Sequence, residues 1–425
     1  MVDISRIGPL QEAAGRWSEL DVRVLLAESA IAVGAGSPTD AGMAWTLPTE
    51  VEHPIAMAGG IPDPSTLPAK DLRQALDMVL TTVPEEALRY GGVPGFEGLR
   101  EALAERMSPI DGVPMTLDNF VITNGSAGGI DTVCDAFVEP GDVVIIEGPT
   151  FSGSTRTFRG HSAEIVQVPV DDDGIVVDKA AEVMERAKAS GKRVKLVYVI
   201  SDFHNPTGAT MSSERRKALV QLCAEHQALI VEDAAYAEIH FGQNRPGSLY
   251  GLAGGQGILK VGTFSKPIAT GLRIGWVQGR ADFIEALIRV KYDMGNSPLL
   301  QRALAEYLTS GKLDQHLHMM RPIYAEKCET LCRSLEDHCS QYLKFRKPDG
   351  GFFLWVECIG PKPRDVMQAA AVEGIIFPVG ATFFVNGDED DTSHLRFAFS
   401  TATVDELSKV GPRLRKVFDK VIGER

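Results

Sequence analysis

Seven short apolar runs recur between residues 119 and 279: NFVIT, DVVIIEG, AEIVQVPV, KLVYVI, ALIVEDA, ILKVGTF and RIGWVQG. Helix-like stretches such as SSERRKALVQLCAEH separate several of them. Runs that are apolar at nearly every position cannot keep one face in water, so they predict strands covered on both faces. Their alternation with helices predicts an α/β fold of βαβ units around a mainly parallel, seven-stranded sheet. In such sheets ligands bind beyond the carboxyl ends of the strands, so the residues that follow each run carry the most information.

The flanking segments differ in character. WSELDVRVLLAESA reads as an amphipathic helix with Ser18 as its cap. VGAGSPTDAGMAWTLPTEVEHP and AGGIPDPSTLP read as irregular loop, and AKDLRQALDMVLTT as a helix. After about residue 300 a long helical region precedes DGGFFLWVEC, HLRFAFS and a helical tail, which predicts a smaller α+β unit. The expected organisation is an N-terminal arm over residues 1–64, a large unit over 65–297 and a small C-terminal unit over 298–425. The acidic strings DDD (171–173) and GDEDD (387–391) read as solvated turns.

Composition excludes several functions. The net charge of −14, from 43 basic and 57 acidic residues, argues against nucleic acid as the main partner. The first 17 residues lack the apolar core of a signal peptide, and no run of about 18 apolar residues marks a membrane span. The six cysteines include no CxxC pair and no histidine cluster completes a metal set, so reduced thiols in a cytoplasmic protein, without metal, are expected.

The strand ends share one theme. After FVIT, the small-residue loop holding Gly125, Ser126 and Ala127 feeds a helix whose exposed N–H groups and dipole favour an anion. Phe151, after DVVIIEGPT, is placed to stack on a planar ring. Asn205 precedes Pro206 and is therefore held out of helical conformation, presenting its amide. Asp233 ends an apolar strand, and a half-buried acid there calls for a cationic partner such as a protonated pyridine. Tyr236 follows on the same side. Thr263, Ser265 and Arg273 supply donors for a phosphate. Lys266 is expected to project from an extended loop held by Pro267, where an amine close to cations is nucleophilic toward an aldehyde. Taken singly, each residue is explained as well by a turn or by core packing. Together they describe one ligand, pyridoxal 5′-phosphate, whose ring accepts the electrons left when a substrate Cα loses its proton.

At these residues the chain resembles the class I/II aminotransferases of the fold-type I pyridoxal-phosphate enzymes. GGIPDP, RYGGVPGFEGLREAL, TNGSAGGID, EGPTF, DFHNPTG, VEDAAYAEI, GTFSKPIATGLRIGW and LRFAFS occur in that family's order and cover nearly the whole chain. The 28-residue interval from Asn205 to Asp233 and the seven from Lys266 to Arg273 fit its spacing. The form of AGGIPDPSTLP is most similar to the 2-aminoadipate, aromatic and multi-substrate branch. The resemblance implies an amino-group transfer from an L-amino acid to a 2-oxo acid, with 2-oxoglutarate as the expected acceptor. It implies that Lys266 is both Schiff-base partner and proton-transfer base, that Arg396 clamps the substrate carboxylate, and that Gly60 and Asn205 also contact substrate. It also implies a homodimer in which Tyr90 reaches the neighbouring subunit's cofactor phosphate. Elimination, replacement, cyclisation of an S-adenosylmethionine-like substrate and oxidation start from the same proton removal and stay open at this point. A regulatory role fused to DNA binding is disfavoured, because the roughly 55 residues before AMAGG are not basic and show no helix-turn-helix pattern. Two departures stand out. Ser201 and His204 replace the usual residues of a PDFQNPTG-like string, and the stretch from Ile31 to Pro54 is longer than its counterpart. His204 reads either as a packed loop histidine or as a substrate contact.

Overall fold

The computed structural model describes residues 18–34, 51–242 and 246–423. The large sheet contains β2 (Phe120–Thr123), β3 (Val143–Gly148), β4 (Glu164–Asp171), β5 (Gly174–Ile175), β6 (Val194–Val199), β7 (Leu229–Asp233), β8 (Ile258–Thr263) and β9 (Gly275–Gln278). Their spatial order is β2-β9-β8-β7-β6-β3-β4-β5. The five strands from β8 to β4 run parallel, while β9 is antiparallel to both neighbours. The sheet thus has eight strands rather than seven: the DDDG turn folds β5 back antiparallel onto β4, and two residues are too short to register as an apolar run.

Alternation along the buried strands explains their unbroken apolar character. Val143 and Ile145 of β3 pack on one face with Val183 and Met184 of the helix Val177–Ala189 and with Leu219 of the helix Ser213–Glu225. Val144 and Ile146 pack on the other with Ile130 and Val133 of the helix Gly125–Phe137 and Leu287 of the helix Ala281–Val290. Each strand residue therefore has a covered face, as period-2 geometry requires.

The second antiparallel sheet joins β10 (Leu343–Phe345), β11 (Phe353–Cys358) and β13 (His394–Ala398). Leu395 and Phe397 face a core shared with the helices Lys312–Cys339, Pro363–Val372 and Val410–Gly423. Residues 394, 396 and 398 therefore point the opposite way, which sends Arg396 toward the large sheet. The long helical region past residue 300 divides into Pro298–Thr309 and Lys312–Cys339 at Gly311, whose φ of 72° breaks the helix.

Residues 55–66 form a strap tied to the smaller sheet. Strand β1 (Ile55–Ala56) pairs in parallel with β12 (Ile375–Ile376), and the Ala398 N–H donates to Met57 O at 2.8 Å. Asp63 forms a buried ion pair with Lys327, whose ammonium also donates to Ser400 O at 2.8 Å. The Asp63 N–H donates to the Tyr324 hydroxyl at 2.9 Å.

Two expectations need correction. The segment Ser18–Ala30 is not one helix: Asp21 accepts from the Arg23 N–H and caps a 3-10 turn over Val22–Val24, and a separate helix spans Glu28–Gly34. Two β-branched valines next to a capping aspartate favour the break. Trp17 and most of the long loop, residues 35–50, lie outside the described residues. GDEDD is not wholly a solvated turn, because Asp391 is buried and its carboxylate lies 2.6 Å from His394 Nδ1. The six cysteines are all free and buried. Among the described residues no helix is long and apolar enough to cross a membrane.

Burial opposes ionisation of Asp63, but the Lys327 ammonium and the Ser65 N–H overcome it and hold the carboxyl below its ordinary value. A lowered folded pKa makes this contribution present above the unfolded value of about 3.9 and lost as pH falls through the folded one. Lys327→Met should cost on the order of 1–3 kcal/mol at neutral pH by leaving Asp63 without its cation. It should also flatten the acid limb of the melting temperature against pH; an unchanged limb would contradict the assignment.

Candidate active site

A cleft of about 210 Å³ opens at the carboxyl ends of the parallel strands. Gly60, Ser126, Ala127, Phe151, Asn205, Asp233, Tyr236, Ser265, Lys266 and Arg273 line it, so residues spread over more than 200 positions meet in one place. Ile61, Ile200, Ala235 and Thr270 line it too, and sequence reasoning had not singled them out.

Asp233 is the buried end of β7. The Tyr198 hydroxyl donates to its Oδ2 at 2.8 Å, and the Ala235 N–H to its Oδ1 at 3.1 Å. Burial pushes this carboxyl above its ordinary value, and the Tyr198 and Ala235 donors with the nearby Lys266 charge only partly offset it. Such an acid is stabilised as a carboxylate by one more close cation, which a protonated pyridine nitrogen supplies. Tyr198 itself is held far above 10, by burial first and by Asp233 second, so it stays a donor. Its signal was visible: a tyrosine inside a fully buried strand needs a partner for its hydroxyl.

The anion corner is built largely by what is missing. The helix Gly125–Phe137 starts without a side-chain cap, leaving its first N–H groups facing the cleft. Gly125 has φ +67°, and a Cβ there would lie 2.9 Å from Arg273 Nη2. Arg273, also left-handed at φ 50°, donates to Asn124 O at 3.3 Å and to Ser265 Oγ at 3.4 Å. These donors surround a space suited to a phosphate, and the residues present fit the group. Thr263 does not line the cleft; its hydroxyl accepts from the Ser265 N–H at 3.1 Å, which shapes the turn and leaves its own hydrogen to donate. That turn is itself a correction. Residues 264–268 are not extended but closed by the Ile268 N–H donating to Phe264 O at 3.0 Å, with Pro267 at a position that needs no N–H.

From this turn Lys266 reaches into the cleft, where its Nζ donates to Gly60 O at 2.6 Å and stands 5.5 Å from the centre of the Tyr236 ring. A Cβ on Gly60 would overlap the Phe353 ring and come within 3.3 Å of the Tyr236 hydroxyl, so the strap can pass only as glycine. Phe151 begins the helix Ser152–Gly160, and its ring lies where a Cβ on Gly153 would be.

Arg396 is 0% exposed and is not a surface residue. Its guanidinium lies 4.5 Å from the ring centres of both Phe353 and Phe383. It donates to Asn205 Oδ1 at 3.0 Å and to Ala58 O. It sits behind Asn205 rather than in the lining. With Asn205 Oδ1 turned to Arg396, the amide nitrogen is the end left for the cleft. Tyr90 is 82% exposed and outside the cleft. His204 is buried away from the lining, and the Ser201 hydroxyl donates to Glu232 Oε1 at 2.9 Å.

This architecture is that of the fold-type I pyridoxal-phosphate transferases. The multiple substrate aminotransferase of Thermococcus profundus superposes with a TM-score of 0.88 at 29% identity, over 96% of this chain and 100% of that one. The alpha-aminoadipate aminotransferase LysN of Thermus thermophilus, crystallised with N-(5′-phosphopyridoxyl)-L-leucine, gives 0.85 at 27% identity, over 96% and 100%. In sequence the chain is 32% identical over 353 residues to aromatic-amino-acid aminotransferase 1 of Thermococcus litoralis, covering 82% of this chain and 85% of that protein. The family model for aminotransferase class I and II matches residues 58–410, and the chain belongs to that family.

Gly125→Val tests the anion corner without touching a polar side chain. The branched Cβ enters the space beside Arg273 at a backbone angle it rarely adopts. Affinity for pyridoxal 5′-phosphate in a fluorescence titration should fall at least about tenfold, the loss of one charge-assisted contact, with far-ultraviolet circular dichroism unchanged.

Proposed function

We propose that this aminotransferase moves an amino group from an L-amino acid to 2-oxoglutarate, with Lys266, Asp233, Asn205 and Arg396 in the roles that their geometry supports. The observation that carries the assignment is the meeting, in one cleft, of the Lys266 amine with Asp233, while Asn205 links that cleft to Arg396. Pyridoxal 5′-phosphate, when bound, supplies an aldehyde for an amine and a ring that takes up the electron pair left at Cα. The uncapped helix at Ser126 and Ala127, with Ser265 and Arg273, holds its phosphate. Asp233 keeps a proton on the ring nitrogen, and the Tyr198 hydroxyl and Ala235 N–H keep Asp233 oriented. Phe151 would lie against the ring, and the Asn205 amide and Tyr236 hydroxyl, which line the same cleft, would donate to its oxygen.

Arg396 binds the substrate α-carboxylate, its planar guanidinium matching two carboxylate oxygens while the bonds to Asn205 and Ala58 fix its orientation. Gly60 closes the cleft from the strap and accepts from Lys266 Nζ until ligand arrives. Lys266 Nζ then takes the proton from Cα and returns it on the other side of the transfer. In the same proposal, Tyr90 of one subunit serves the phosphate of its partner in a cytoplasmic homodimer, and its exposure leaves it available for that contact. The arm 1–64, cofactor unit 65–297 and small unit 298–425 are its working parts.

The test is a panel of aromatic, acidic, basic and aliphatic amino acids, each with 2-oxoglutarate, scored for both the new oxo acid and glutamate. Paired formation of the two products is expected from at least one donor. Lys266→Ala should lower turnover by about 10²–10⁴, the range of a positioned proton-transfer group. Release of a leaving group without glutamate would replace transfer by elimination or replacement.

A further inference from the structure

Resting on the cofactor reading above, we propose that His204 is a positioning residue: through a buried pair with Glu147 it holds the loop that presents the Asn205 amide. The side chains of His204 and Glu147 are 2% and 1% exposed, and His204 Nε2 lies 3.1 Å from Glu147 Oε2. The same oxygen accepts the Ile200 N–H at 2.7 Å. On the other side of the ring, Nδ1 lies 2.9 Å from Thr207 Oγ1 and 3.4 Å from the Thr207 N–H. A backbone N–H aimed at Nδ1 makes that nitrogen the acceptor and puts the ring hydrogen on Nε2, whose 3.1 Å contact with Glu147 Oε2 lies off the line of a hydrogen bond.

Neither residue lines the cleft, and stability alone does not call for them, since a buried polar pair is commonly no better than apolar side chains of equal volume. Their positions supply the reason. Glu147 lies in β3, four residues before Phe151, and His204 immediately precedes Asn205. The pair therefore fastens the loop that carries the stacking ring to the loop that carries the amide. The His204 N–H donates to Ala209 O at 2.8 Å and the Gly208 N–H to His204 O at 2.6 Å, while upstream the buried Arg216 guanidinium donates to Ser201 O at 2.8 Å and Asp202 Oδ1 at 2.7 Å. Arg396 fixes the Asn205 side chain from the substrate side at 3.0 Å, and His204 fixes its backbone from behind. Without the imidazole, the Ile200 N–H still bonds Glu147, but the stretch past Asp202 loses its contact with β3 and the amide loses its aim at both cofactor and Arg396.

The experiment compares wild type, H204A, H204Q, N205A and H204A/N205A. Cofactor affinity is titrated by fluorescence on protein stripped of cofactor, alongside the donor KM and the melting temperature of the stripped protein. H204A should weaken cofactor binding and raise the donor KM by about tenfold each, the worth of one close polar contact with a charged group. H204Q, which keeps an N–H group beside Glu147, should stay within about threefold of wild type. In the N205A background H204A should add no further loss, because residues acting through one another are not additive. Full additivity in the double variant, or a lowered melting temperature with unchanged affinity and KM in H204A, overturns the proposal. If H204A does not fold, the E147L/H204L pair removes both polar groups and carries the same comparison. Wild-type protein that binds no cofactor would instead overturn the reading on which the proposal rests.

Discussion

A carboxylate at the buried end of a central parallel strand sets the terms for everything around it. Asp233 lies where sheet and helices have excluded water, and its own neighbours stabilise its charge only in part. A charge in that setting is costly unless a cation completes it. The fold thus creates a place whose most stable occupant is a ligand with a protonated ring nitrogen. The uncapped helix beside Arg273 asks for negative charge, and Lys266 offers an amine between the two. One cationic ring carrying an aldehyde and a phosphate answers all three, which is why residues that are unremarkable singly become specific together.

The far side of the cleft is held from elsewhere. Alternation along β13 sends Arg396 out of the small unit's core, between two phenylalanine rings and onto Asn205. The strap that covers Lys266 is fastened to the same small sheet through β12, Ala398 and the Asp63–Lys327 pair. Its tip makes the contact across to the lysine turn, Gly60 O with Lys266 Nζ. The chain therefore builds the cleft on the large sheet and holds Arg396 and the strap on the smaller one, with Asn205 joining the two.

Much of this was legible because it is local. Strand-end residues sit next to the apolar runs that place them, so Ser126, Phe151, Asn205, Asp233, Tyr236 and Lys266 could be read one run at a time. The helix over 69–82 and the Ser212-capped helix carry their signals within themselves. What escaped the reading depends on distant pairing or on competition between short-range forces. The Asp63–Lys327 pair spans 264 positions and the Tyr198–Asp233 bond 35, and nothing in either neighbourhood names its partner. The Ser265 N–H that the Thr263 hydroxyl accepts is set by the turn and not by the apolar run before it. The N-terminal pattern looked helical, yet Asp21 caps a shorter turn inside it.

Glycine shows how closely shape and chemistry are joined here. At Gly60 a Cβ would meet the aromatic wall, at Gly125 the guanidinium, and at Gly275 the backbone of Gly125, 2.6 Å away. None of these residues offers a functional group. Each lets two pieces of backbone, or backbone and an ion-binding side chain, approach closer than any other residue would permit. The site's cations are thereby brought within reach of one small ligand while the strap still closes over them. Changing strand ends would alter the lining of the cleft, and changing the strap or β13 would alter what closes it and what holds Asn205. The two can therefore diverge independently on the same fold.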